Sequence, residues 1–192
     1  MSVTHVLKLF SSSQEGWNDL IRIHPSVFRL AAFMVLPLSL IPPLMLEYAG
    51  RHYVGSLFPQ VSVLAWSLAA LAFLLAEWLT VPLIAWGIRS VANSRGIPCR
   101  YDDAFTLAAI APIPMWLSAL VLFASNTAVI LVVALAGLAA SVVLIFRGVE
   151  GILKVEEDVV AAQIAYVVTA MGLIAWVLLT MLGLVPAMGH FH

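Results

Sequence analysis

Charged residues and cysteines are both scarce in this chain of 192 residues. Only 10% of the residues are charged, whereas 63% are hydrophobic and the mean hydropathy is +1.07. So few charges cannot cover the apolar surface of a soluble domain of this size, and a soluble globular protein is therefore excluded. Cys99 is the only cysteine, so an internal disulfide is excluded as well.

Sequence motifs for catalysis and for nucleic-acid binding are also missing. There is no phosphate-binding glycine loop, no HExxH motif and no paired-cysteine motif, and no nucleophile stands in a recognisable pattern with a base and an acid. No basic patch is interleaved with aromatic residues. We therefore predict a protein that is not an enzyme, holds no cofactor and binds no nucleic acid. No cleavable signal peptide is expected, because Lys8, Glu15 and Arg22 precede the first apolar run.

Five long apolar runs occupy most of the chain. Because about 20 apolar residues are enough for a helix to cross a bilayer, each run predicts a membrane-spanning helix. The predicted spans are 27–46, 61–88, 104–123, 128–146 and 159–182. The predicted fold is an all-α polytopic membrane protein with a five-helix transmembrane bundle. Residues 1–26 are predicted to form a cytoplasmic segment with short interfacial helices, and residues 183–192 an outer-side tail.

The positive charges are distributed unequally between the two sides of the predicted spans. Eight of the nine Lys and Arg residues fall on one side, and Arg51 alone falls on the other. The eight are Lys8, Arg22, Arg29, Arg89, Arg95, Arg100, Arg147 and Lys154. Because positively charged segments stay in the cytoplasm, this asymmetry predicts a cytoplasmic N-terminus and an outside C-terminus.

Four short segments carry a family resemblance. They are Ser-Gln-Glu-Gly-Trp-Asn-Asp-Leu at 13–20, the proline-rich stretch at 36–43, Tyr-Asp-Asp-Ala-Phe at 101–105 followed by Ala-Pro-Ile-Pro at 111–114, and Phe-Arg-Gly-Val at 146–149. With the five-span layout, they resemble the bacterial branch of the Yip family, the Ypt/Rab-interacting membrane proteins. The resemblance covers nearly the whole chain. It implies an integral protein of a bacterial inner membrane that acts through protein contacts and has no catalytic residues.

Glu77 is the candidate intramembrane polar site. It lies 12 residues before Arg89, which is about 18 Å along a helix and near the middle of the bilayer. An acidic side chain at that depth is costly unless it is neutral or paired, and no Lys or Arg lies deep enough to pair with it. It is either a proton- or ion-binding site of a transporter, or a protonated side chain bonded to Ser, Thr or a free carbonyl.

Prolines and histidines supply two weaker hypotheses. Pro42, Pro43, Pro112 and Pro114 are predicted to break the first and third helices, either as elements of shape or as the edges of a substrate site. No metal site is predicted. A weak outer-side alternative is a site formed by His52, His190 and His192, with Glu47 as a fourth ligand.

Small residues and tryptophans predict how the helices pack. Small side chains recur along the second, fourth and fifth spans and are predicted to let helices approach closely, within the bundle or against another protein. They are Ala65, Ala69, Ala72 and Ala76, then Gly137 and Ser141, then Ala161, Ala165, Thr169 and Gly172. Four tryptophans are predicted as anchors at the membrane interface. These are Trp66, Trp86, Trp116 and Trp176.

These observations leave two hypotheses for function. The first is a non-catalytic scaffold or accessory subunit that contacts membrane lipids and either a membrane protein partner or further copies of itself. The second is a transporter or channel for an ion or small solute that uses Glu77.

Overall fold

The computed structural model describes residues 26–54, 61–155 and 157–188, and every regular element in these ranges is helical. Five long helical segments follow one another, each long and apolar enough to cross a membrane. They are α1 (Val27–Val54), α2 (Val63–Ser94), α3 (Tyr101–Ala124), α4 (Thr127–Leu153) and α5 (Asp158–Met188). The predicted five-span, all-α fold is thereby confirmed. The predicted interfacial helices lie outside the described residues.

The first segment, α1, is irregular. It contains two π-helical stretches, Ala31–Val35 and Gly50–Val54, and a turn at Leu40 just before Pro42 and Pro43. Proline has no backbone N–H to donate and its ring collides with the preceding turn, which accounts for the interruption at Leu40. The helical conformation continues to Val54, eight residues beyond the predicted end at residue 46.

By contrast, α2 and α5 are continuous helices. The Ser62 side chain caps α2 by accepting a hydrogen bond from the Ala65 backbone N–H at 3.2 Å. The 32 residues of α2 extend about 48 Å, which exceeds a hydrocarbon core of about 30 Å. The helix must therefore tilt or extend beyond the hydrocarbon.

The third segment, α3, is broken near its middle. An α-helix over Tyr101–Ile110 ends in a turn, a second one covers Ile113–Ser118, and a 3-10 helix completes the segment to Ala124. Pro112 lies in the turn and Pro114 in the first turn of the second helix, where a missing N–H costs least. Asn126 then caps α4 by accepting a hydrogen bond from the Val129 N–H.

Packing differs between the two ends of the bundle. We call the end of the bundle that contains the connections 95–100 and 154–157 the basic end. The opposite end contains the remaining helix connections. The main apolar cluster fills the basic end and takes residues from all five helices. They come from 30–35, 81–92, 104–116, 144–153 and 161–168. At the opposite end, the second buried cluster contains Val61, Trp66 and Ala187.

Candidate functional site

A cavity of about 390 Å³ lies inside the bundle and is lined by all five helices. Its lining extends along α5 from Val168 to Leu184, and most of the side chains that face it are aliphatic or aromatic. Among the described residues that line the cavity, Glu77 alone carries an ionisable side chain. The volume falls within the range of small-molecule sites, about 300–1,000 Å³.

Glu77 is held in place by Trp116. Its side chain is 5% exposed, and its Oε1 accepts a hydrogen bond from the Nε1–H of Trp116, which is 2% exposed. Trp116 lies in the short helix after the proline break of α3, so this break brings the indole against α2. The predicted bond from Glu77 to Ser, Thr or a free carbonyl was therefore wrong, and so was the interface position predicted for Trp116.

Three buried polar atoms of residues that line the cavity have no hydrogen-bond partner among the described residues. They are Oε2 of Glu77, Oγ of Ser141 and Oγ1 of Thr169, which belong to three different helices. Other hydroxyls in the lining are satisfied locally: Thr80 donates to the Ala76 carbonyl at 2.7 Å, and Ser118 donates to the Met115 carbonyl at 2.8 Å. The three unsatisfied oxygens are themselves fully buried, so their residues on α2, α4 and α5 line the cavity through other atoms.

The small-residue stripe of α5 serves two purposes. Ala161 and Ala165 are buried in the main cluster, where their size lets helices approach closely. Farther along the same helix, Thr169 and Gly172 face the cavity, and a Cβ added to Gly172 would meet nothing within 4 Å. Ala161 and Ala165 thus form the predicted packing face, whereas Thr169 and Gly172 form part of the cavity wall.

On α4, Gly137 has a tighter environment. A Cβ at this position would lie 2.9 Å from the Ser118 side chain and 3.1 Å from the carbonyl oxygen of Pro114. Only glycine permits this approach of α4 to the broken part of α3. Ser141, one turn further along α4, faces the cavity.

The four predicted helix-break prolines lie around the cavity or close to it. Pro42 and Pro112 line it, Pro43 is buried next to Pro42, and Pro114 presents its carbonyl to Gly137. Their side chains, and the helix breaks that they cause, form part of the cavity wall.

His52 and Glu47 are each engaged within α1 or with α2. The His52 ring stacks on Tyr48 and places Nδ1 2.9 Å from the Tyr48 carbonyl oxygen. Glu47 pairs with Arg51 and accepts a hydrogen bond from Ser67 at 2.9 Å. In the described part of the chain no three His, Cys, Asp or Glu side chains group together. His190 and His192 lie outside that part, so the weak metal-site hypothesis stays a prediction.

Two further contacts have no clear signal in the sequence. The Trp78 indole donates a hydrogen bond of 3.0 Å to Ser39, a fully buried serine that in turn donates to the Leu36 carbonyl. The ring of Trp66 packs where a Cβ on Gly50 would stand, 2.7 Å away. Trp66 is 2% exposed, so its predicted interface position was wrong. Both contacts join α1 to α2.

Five apolar helices around a cavity with one buried carboxyl group define a polytopic α-helical membrane protein. The Yip1 domain model matches residues 7–179, and the chain therefore belongs to the Yip family. This agrees with the resemblance predicted from the short segments. No curated protein and no solved structure gave a match.

Proposed function

We propose that the protein is a non-catalytic membrane scaffold or accessory subunit that acts through helix contacts within the bilayer. Membership of the Yip family supports this function, because the family consists of membrane proteins that interact with other proteins. The residues that meet in the cavity support it as well: a carboxyl group, two hydroxyls and an indole form no nucleophile–base–orienter set.

Family membership carries the proposal, and the exposure of α5 selects the helix at which the contact is tested. Only 11% of its most apolar window is buried inside the protein, compared with 50% for α3. Large apolar side chains form a straight ridge on its exposed face at spacings of four, three and four residues. The ridge consists of Ile174, Leu178, Met181 and Val185. A methionine within such a ridge adapts to partners of different shape.

Site-specific photocrosslinking in native membranes tests this contact. A benzoylphenylalanine introduced at Ile174 or at Leu178 is expected to form covalent adducts with a protein, either a different subunit or a second copy of the chain. The matched controls are Leu71 and Leu75 on the exposed face of α2, which are expected to give far fewer protein adducts. The mass of the adducts distinguishes a partner from a homo-oligomer.

The proposal fails if none of the α5 positions gives a protein adduct in intact membranes. It also fails if the α2 and α5 positions give equal yields, because crosslinking would then reflect collision and not a defined contact.

The proposal includes a location in a bacterial inner membrane, with the N-terminus in the cytoplasm and the C-terminus outside. The positive charges support this orientation, because eight of the nine Lys and Arg residues lie on the side of the N-terminus. Alkaline phosphatase fused after His192 should be active, and a green fluorescent protein at the same position should be dark. The reverse result would overturn the orientation.

Transport of an ion or a small solute is a second function, favoured by the position of Glu77 in the cavity wall. The apolar lining and the near-complete burial of Glu77 weigh against a hydrated path. Flux of candidate ions and solutes into proteoliposomes, compared between the wild type and Glu77→Gln, decides between the two functions. Equal flux in both proteins would exclude this second function.

A further inference from the structure

The helices α4 and α5 touch at the basic end and follow different neighbours towards the opposite end. The rings of Phe146 and Tyr166 meet edge to face, with their centroids 5.3 Å apart. Farther along, Gly137 brings α4 against α3. Gly183 brings α5 against α1 instead, where an added Cβ would lie 3.3 Å from Leu46. Between the two helices the cavity is lined by α4 from 130 to 145 and by α5 from 168 to 184, and we call this part the α4–α5 crevice.

The α4–α5 crevice is closed at one end and reaches the lipid along its side. Ile88, Ile145 and Val168 line its closed end and belong to the main buried cluster. Leu173 and Leu184 also line it and are exposed on the outside of the bundle. From residue 168 to residue 184 the helix rises about 24 Å, more than half of a hydrocarbon core of about 30 Å. A partner's spanning helix must cross the whole core, so the closed end excludes such a helix from the crevice.

The surface of the crevice is apolar. Lining hydroxyls donate to carbonyls of their own helices, as Thr180 does to Trp176 at 2.8 Å. The unpartnered oxygens of Glu77, Ser141 and Thr169 have almost no accessible surface, so they offer no hydrogen bond to an occupant. A water molecule in a cavity needs two to four polar partners, and an apolar cavity stays dry. The occupant must therefore be apolar.

An unfilled crevice is unfavourable, because the atoms of its walls lose the dispersion contacts that close packing provides. Gly172 marks the gap in the wall, since a Cβ added there would meet nothing within 4 Å. The hydrocarbon chains of the bilayer surround the helices at this depth. A single chain is slender and unbranched, and it can enter sideways between α4 and α5.

We infer that the α4–α5 crevice binds one hydrocarbon chain of a membrane phospholipid. The head group of this lipid lies at the opposite end of the bundle, and the methyl end of its chain lies at the closed end of the crevice. The site goes beyond the proposed scaffold role and does not depend on it, because no residue of the exposed α5 ridge lines the crevice.

Photolabelling of the full-length protein in phosphatidylcholine nanodiscs tests the site. Two probe phosphatidylcholines carry a diazirine, one at the methyl end of an acyl chain and the other beside the ester. Mass spectrometry maps the labelled residues. The methyl-end probe is expected to label the deep lining residues Ile84 and Val142, and the ester-end probe is expected to label Ile130 and Leu184. Leu75, on the exposed face of α2, serves as a reference for labelling from the surrounding lipid.

Two variants connect the deep labelling to the crevice, each with a matched control. Gly172→Leu adds a side chain in open space, and Ala134→Leu adds volume from the wall on α4. In both, labelling of the two deep residues by the methyl-end probe should be lost, while the α2 reference residue should be labelled as in the wild type. Ala170→Leu and Ala136→Leu add the same volume on exposed faces of α5 and α4, and they should leave the deep labelling unchanged.

Three outcomes would overturn the inference. The first is a methyl-end probe that labels the reference residue but neither deep residue, because the crevice would then hold no lipid chain. The second is deep labelling that is as strong with the ester-end probe, because the chain would then have no fixed direction. The third is deep labelling that survives in both filling variants, because it would then arise outside the crevice.

Discussion

The two ends of this bundle are built differently although the same five apolar helices form both. At the basic end, the main cluster draws on all five helices, and alanines such as Ala85, Ala104 and Ala109 are completely buried in it. Towards the opposite end, a cavity separates the same helices, and the second cluster has three buried members among the residues that the structure describes. Hydrophobicity cannot produce this difference, because lipid tails solvate apolar side chains as well as protein does. The size of the side chains at the helix contacts therefore determines where the helices pack closely together.

Trp116 belongs to both regions, and its removal is expected to have the largest effect. It is a member of the main cluster, lines the cavity and donates to Glu77. Trp116→Ala should lower the free energy of unfolding by about 2–4 kcal/mol, because it loses packing and leaves both Glu77 oxygens unsatisfied. Denaturant titration in mixed micelles measures this change.

Two controls separate the packing contribution of Trp116 from its hydrogen bond. Trp116→Phe keeps most of the ring but loses the donor, so it should cost less than Trp116→Ala. Trp86→Ala removes an indole that is 65% exposed and should change stability little. Equal losses for Trp116→Ala and Trp86→Ala would refute the bridging role of Trp116.

Adding volume at the closely packed basic end should destabilise the protein. Ala85→Leu inserts atoms into a site with no free surface and should cost about 1–3 kcal/mol of unfolding free energy. Ala139→Leu, on the exposed face of α4, should change stability little and is the matched control. If Ala85→Leu were tolerated as well as its control, the close packing of the basic end would be wrong.

Substitutions at two glycines should have smaller effects on stability. Gly50→Ala would place a Cβ 2.7 Å from the Trp66 ring and should destabilise the protein by about 1 kcal/mol. Gly172→Ala meets no neighbour and should stabilise it by about 0.4–1 kcal/mol, because alanine has less conformational freedom in the unfolded chain. If the two substitutions changed the unfolding free energy in the same direction, the close packing at Gly50 or the open space at Gly172 would be wrong.

The fold could be predicted from the sequence more completely than the candidate site. The length and apolarity of the five runs predicted the five helices, because a bilayer leaves the chain little choice. Glu77 was singled out by its depth alone. Its partner Trp116 was not, because only the break at Pro112 and Pro114 determines which way the indole points. The same stripe of small residues on α5 both packs and lines a cavity, and a pattern of residue sizes in one helix cannot show where its neighbours diverge.

Cys99 tests whether the closed packing of the basic end extends to the connection between α2 and α3. The thiol is buried, and this burial raises its pKa to about 11, with the Asp103 carboxylate acting in the same direction. Because the thiolate is the reactive form, alkylation by N-ethylmaleimide at pH 8 should be much slower than for an ordinary thiol. The reference is a cysteine placed at the exposed position 94 of a Cys99→Ser protein.

The same burial predicts a dependence of stability on pH. A pKa raised on folding means that the neutral thiol stabilises the folded state fully below the ordinary value of 9.0, and this contribution is lost as the pH rises towards about 11. The wild type should therefore lose more stability than Cys99→Ser over this interval, while the two proteins respond alike at lower pH. Fast alkylation of Cys99 at pH 8, or identical pH profiles, would show that the connection is open to water. The closed region would then end within the helices themselves.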